Sequence, residues 1–172
     1  PRRQVETSRG PTPPEVFAAS DLVILAVPDD ALPGLVEGLV ATRSIRAGQI
    51  VVHTSGRHGA DVLEPATLLG ALPLALHPVM TFTGSAVDLE RLGGAMFGVT
   101  APEPLWPIAA ALVVEMGAEP IRIAERDRTL YHALQFENNR RTRRCTEWQP
   151  DGAFWQFRRR WWAAIGKLSV RC

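Results

Sequence analysis

Apolar positions along the chain fall into short blocks whose spacing alternates between continuous runs and helical periodicity. "PPEVFAAS" (13–20) opens with prolines suited to a first helical turn and predicts a short helix. "DLVILAVP" (21–28) is a continuous apolar run of strand length, the pattern of a strand covered on both faces. In "DDALPGLVEGLVATRSI" (29–45), Leu32, Leu35, Val36, Leu39 and Val40 share a helical face, and Asp29 or Asp30 is placed to cap it. "QIVVHTS" (49–55) is the next strand. "GRHGADVLEPATLLG" (56–70) predicts a short helix interrupted at Pro65.

The alternation continues. "LPLALHPV" (72–79) and "AMFGVTA" (95–101) read as strands, separated by a helical turn at 86–94 that ends on Gly93 and Gly94. "PEPLWPIAAALVVEMGA" (102–118) has its prolines near the start and Gly117 near its end, so it predicts a helix. "EPIRIAE" (119–125) alternates Ile121 and Ile123 with Arg122, the pattern of a half-exposed edge strand. "RDRTLYHAL" (126–134) starts one more helix. Strands alternating with helices predict an α/β fold with a largely parallel sheet and helices on both faces.

Composition divides the chain. Residues 1–134 hold 10 Arg against 15 Asp or Glu, whereas residues 135–172 hold 8 Arg and Lys167 against 3 acids, together with four of the five Trp. The segment 135–172 has no sustained periodicity, and no Gly, Pro or Ser linker precedes it. It is therefore expected to be a basic, aromatic tail, poorly ordered and unrelated to the body at 1–134. Arg clusters interleaved with aromatics also suit phosphate contacts and base stacking, but no RNA or DNA module accompanies them, which argues against nucleic acid as a partner. The longest apolar runs fall far short of the ~18 residues of a membrane span. Two cysteines, Cys145 and Cys172, give neither a disulfide framework nor a CxxC pair, and the scarcity suggests a reducing cytoplasm.

In an open parallel sheet, ligands lie beyond the carboxyl ends of the strands. Four predicted strands end in "VPDD" (27–30), "HTSG" (53–56), "HPVMTF" (77–82) and "VTAPEP" (99–104), so small, polar and proline-fixed residues are expected to collect at one edge. Three of these ends lead towards helix starts, which suit anions. Taken singly, each has a plainer reading: an Asp cap, a tight turn at Ser55-Gly56, a half-buried His77 at a bend. His53, His58, His77 and His132 form no metal-ligand pattern, so no metal is expected. "HTSGR" is a poor match to the nucleophile elbow of hydrolases, because His53 replaces its first glycine.

In combination, "DLVILAVPDDAL", "VVHTSG" and "LALHPVMTF" resemble the Rossmann-like oxidoreductases catalogued as domain of unknown function 2520. That group is similar to pyrroline-5-carboxylate reductase and to other 6-phosphogluconate dehydrogenase-like proteins. The resemblance covers about residues 11–134. It implies NADP or NAD as cofactor, with Ala26, Val27, Pro28 and Asp29 flanking its ribose and phosphate side. His53, Thr54, Ser55 and Gly56 would approach the nicotinamide end, and His77 and Pro78 would line the side facing a small-molecule substrate. The expected reaction is hydride transfer to or from a small carbonyl, imine or hydroxy compound; the resemblance gives no catalytic residue. The family's opening strand, G-x-G-x-x-G turn and helix are not among these residues. Nor is the helical domain through which full-length members complete the cleft and form homodimers. The expectation is a partial Rossmann-like domain, truncated at its N-terminus, that binds cofactor weakly or not at all. A second reading stays open: a non-catalytic binding module whose basic tail contacts nucleic acid or a partner protein.

Overall fold

A computed structural model describes residues 12–134. Five strands form one sheet in the order β1-β2-β3-β4-β5, comprising β1 (Leu22–Leu25), β2 (Ile50–His53), β3 (Leu72–Pro78), β4 (Met96–Thr100) and β5 (Glu119–Arg122). The helices are α1 (Pro13–Ala19), α2 (Leu32–Ala41), α3 (Glu64–Thr67), α4 (Val87–Leu92) and α5 (Trp106–Glu115), and residues 128–134 are helical as α6. Short 3-10 turns precede α3, α5 and α6. The segment 135–172 lies outside the described residues.

Period-2 alternation sends neighbouring strand residues to opposite faces. Val51 joins a core with Phe17, Leu32, Val36 and Leu63, beneath α1, α2 and α3. Val52 joins the other core with Leu74, Phe97, Val99 and Val113, beneath α5. Helices thus cover both faces, and each fully buried large apolar side chain contributes about 1.5–3 kcal/mol. Among the described residues, β1 and β5 are the two edges of the sheet. At the β1 edge, Ile24 pairs in register with buried Val52 but is itself exposed.

Three local expectations are corrected. Neither Asp29 nor Asp30 caps α2: a turn with Ala31 N–H bonded to Pro28 O at 2.9 Å intervenes, and Ala31 is the N-cap with no side-chain bond. Helix α2 stops at Ala41 because the Thr42 hydroxyl turns back to Gly38 O and Arg43 takes the left-handed conformation, φ 52°. Pro65 does not interrupt a helix but lies in the first turn of α3, where its missing N–H would have no partner.

The sheet is largely parallel, as expected, with one reversal. β1, β2 and β3 run parallel, but β4 is antiparallel to β3, with His77 opposite Gly98 and Ala75 opposite Thr100. β5 then runs parallel to β4. Between β3 and β4 the only helix is six-residue α4, whose Val87 and Leu89 are exposed. It is too short to carry the chain back across a sheet face, so Val79 N–H bonds Met96 O at 2.8 Å and the chain re-enters at the edge it left.

Candidate functional site

The three parallel strands deliver their carboxyl ends to one edge. Ala26–Asp29 follow β1, His53–Gly56 span the end of β2, and His77 and Pro78 close β3. "VTAPEP" is not among them: the reversal of β4 carries Thr100 to a position opposite Ala75 and the residues after it towards the start of β3. Three of the four predicted strand ends therefore meet.

Cross-links hold these ends together. Arg57 pairs with Asp30 at 3.2 Å, and the His58 ring reaches Asp29 O at 3.2 Å, tying the β2 loop to the β1 turn. Ala26 and Pro28 are exposed along that turn, and no side chain caps the first turn of α2 just beyond it. Such an edge, with small residues and free helix amides, fits the flank of a dinucleotide.

The side chains of the β2 loop mostly face inward. His53 is fully buried, and its Nδ1 accepts the Ser55 N–H at 3.2 Å while Nε2 stands 2.8 Å from Gly59 O. Nε2 therefore carries the proton, and neither ring nitrogen remains for a ligand. Burial is the main reason its pKa falls to about 4. Ser55 Oγ accepts the N–H groups of Arg57 and His58 at 3.2 and 3.1 Å. With the imidazole and hydroxyl both bonded to loop backbone, no serine–histidine nucleophile pair forms. What the loop offers outward is half-buried Thr54 and exposed Arg57, while Gly56 is buried.

Gly56 abuts His77. A Cβ added at Gly56 would lie 2.7 Å from His77 Nε2, closer than real side chains pack. On its other side, His77 Nδ1 is 2.8 Å from the Tyr131 hydroxyl. Burial, followed by the positive charge of Arg128, lowers the His77 pKa to about 4, so the ring is neutral near pH 7. Pro78 is buried within β3 and paired with Phe97.

Beneath the site lies Arg128, a buried guanidinium that pattern reading passed over. Its Nε donates to Thr100 Oγ1 at 2.7 Å, one terminal nitrogen donates to Ala75 O and Gly98 O at 3.2 and 3.0 Å, and the other reaches Ser55 O at 3.5 Å. The Thr100 hydroxyl passes its own proton to Ile123 O at 2.6 Å. One cation thus joins the β2 loop, β3, β4 and the segment after β5. Glu125 adds a second link, accepting Ala60 N–H at 2.8 Å and capping the turn that follows the loop. The sequence did carry one signal for this cluster. Gly98 stands inside a strand, and a Cβ there would collide with the Tyr131 hydroxyl.

Among the described residues, no three His, Cys, Asp or Glu side chains are grouped to hold a metal ion, and no helix is long and apolar enough to cross a membrane.

Comparison with known proteins gives two family matches. A Rossmann-like domain matches residues 2–78, and a domain of unknown function, number 2520, matches residues 95–139. No curated protein matches. Among solved structures, the chain resembles a protein from Thermotoga maritima at 18% identity and a TM-score of 0.52, covering 86% of this chain and 60% of that one. A protein from Bacteroides fragilis assigned as an NADP oxidoreductase aligns at 21% identity and a TM-score of 0.56, over 73% of this chain and 46% of that one. A Streptomyces aurantiacus imine reductase aligns at 20% identity and 0.53, over 91% and 49%. At such identities the likeness establishes the fold. The chain spans 46–60% of the length of these three structures.

Proposed function

The chain carries a Rossmann-like domain followed by a segment of domain of unknown function 2520, and from that premise we propose that it serves an NAD(P)-dependent oxidoreductase. The reaction is hydride transfer to or from a small carbonyl, imine or hydroxy compound. The observation that carries this reading is the meeting of Ala26–Asp29, His53–Gly56 and His77–Pro78 at one edge of three parallel strands. In doubly wound sheets that edge is where dinucleotides lie.

When bound, the nicotinamide supplies or accepts the hydride. The chain's own part is positioning. The Ala26–Asp29 turn and the uncapped start of α2 face the ribose and phosphate side, where helix amides favour negative charge. Gly56, lacking a side chain, lets the His77 ring close against the β2 loop. His77, half-buried and neutral, borders the substrate side. The G-x-G-x-x-G turn that grips the pyrophosphate elsewhere is not among the 172 residues, so the affinity expected of this chain is weak.

Titration of the purified chain with NADPH and with NADH, following nicotinamide fluorescence, tests the reading. Saturable binding weaker than micromolar, competed by the oxidised cofactor, is expected. A folded chain with no saturable response to either dinucleotide at millimolar concentration would overturn it.

A further inference from the structure

Arg128 is only 2% exposed, yet no carboxylate answers its charge: among the described residues, no Asp or Glu forms an ion pair with its guanidinium. Its hydrogen-bond acceptors are all neutral, Thr100 Oγ1 at 2.7 Å and the carbonyls of Gly98, Ala75 and Ser55 at 3.0, 3.2 and 3.5 Å. These dipoles satisfy N–H groups but leave a unit charge unpaired. Burial lowers the pKa of the group, but from a range so far above neutral that the charge remains.

That charge stands directly behind the candidate site. The Ser55 carbonyl belongs to the peptide that joins Ser55 to Gly56, and Gly98 lies opposite His77 across β3 and β4. The field is felt there. Burial is the first reason that His53 and His77 are held neutral, and among neighbouring charges Arg128 acts most strongly on both rings, ahead of the opposing Asp29. Asp29 at the rings and Glu125 at the guanidinium act against it, but both are half-exposed, so water and salt screen them more than they screen Arg128.

A nicotinamide ring is cationic when oxidised and uncharged when reduced. We propose that Arg128 makes the rim of His53–Gly56 and His77 select between these two forms, favouring the reduced, uncharged ring. The inference rests on the oxidoreductase reading, which puts the nicotinamide end beside that rim. At an effective dielectric of about 20, a unit charge behind one layer of backbone is enough for about a tenfold difference in affinity.

Competition titrations on the full chain test this, with NADPH followed by nicotinamide fluorescence and NADP⁺ as competitor, at about 0.05 M and about 0.5 M salt. NADPH should bind about tenfold more tightly than NADP⁺. Both affinities should fall with salt, but their ratio should persist, because the discriminating charge is buried. A ratio set by exposed cations such as Arg57 would collapse instead. Equal affinities, or a ratio that vanishes at high salt, would overturn the proposal and leave the dinucleotide site standing. Binding of neither form would remove the oxidoreductase reading and this inference with it. The salt series needs no variant to fold. Arg128→Met, if it melts cooperatively, should bring the ratio close to one, and a folded variant that keeps the wild-type ratio also contradicts the proposal.

Discussion

The imidazole of His77 stands against the bare Cα of Gly56, with Nε2 only 2.7 Å from where a methyl group would be. This contact joins the ends of β2 and β3 and decides what can change there. Gly56→Ala must push the ring or the loop aside, and both are held, the ring by Tyr131 and the loop by Ser55. The expected cost is about 1–3 kcal/mol, as for other overpacked sites, read as a lower urea midpoint with unchanged slope.

Arg128 should be far less tolerant of change than its place in an unremarkable helix suggests. Arg128→Met keeps much of the stem but strands the acceptors at Ala75, Gly98 and Thr100 in a dry interior. A loss of about 3 kcal/mol or more is expected in urea unfolding. Arg128→Lys should recover little, because a point-like ammonium cannot span acceptors arranged for a planar fork.

Stability should fall in mild acid. His53 and His77 are held near pKa 4 in the fold, against about 6.5 when exposed. Between those values the unfolded chain binds more protons, so unfolding is favoured as pH drops. The contribution is fully present above about pH 6.5 and is lost as pH falls towards 4, roughly 3 kcal/mol for each ring. Glu125, raised above its ordinary range mainly by burial, works in the opposite sense at the acid end. Urea midpoints measured from pH 7.5 down to 4.5 should decline, and His77→Gln should flatten that decline.

Two long-range acidic contacts should differ sharply in weight. Asp30 and Arg57 are both well exposed, so Asp30→Ala should shift stability by less than about 0.5 kcal/mol while loosening the β2 loop. Glu125 supplies the half-buried cap for Ala60, and Glu125→Ala should cost about 1–2 kcal/mol. Thermal melts of the two variants side by side check the contrast.

Strands β1 to β3 were legible because continuous apolar runs ending in Pro, Gly and polar residues mark buried strands and their exits. That legibility extends to the three strand ends that meet. It does not extend to strand direction: "AMFGVTA" reads the same in either orientation, and only the short span of α4 forces β4 to reverse. The Asp29 and Asp30 cap failed because a turn from Pro28 to Ala31 displaced the helix start. Arg128 and Tyr131 went unnoticed since a buried arginine on a helix carries the same local pattern as an exposed one. Their partners lie 28 to 73 residues away in the chain. Gly98, a glycine within a strand, was the one local trace of them.

The Arg128 clamp also sets an order of events during synthesis. The carbonyls of Ser55, Ala75 and Gly98 leave the ribosome well before the guanidinium that will bind them. Until then water must satisfy those groups, so the junction of β2, β3 and β4 stays hydrated while the apolar layers around Val51 and Val52 can already condense. Its drying waits for Arg128. Docking of α6 is thus a late step for the described residues, and a nascent chain arrested ahead of Arg128 would hold the sheet in that wet, incomplete form.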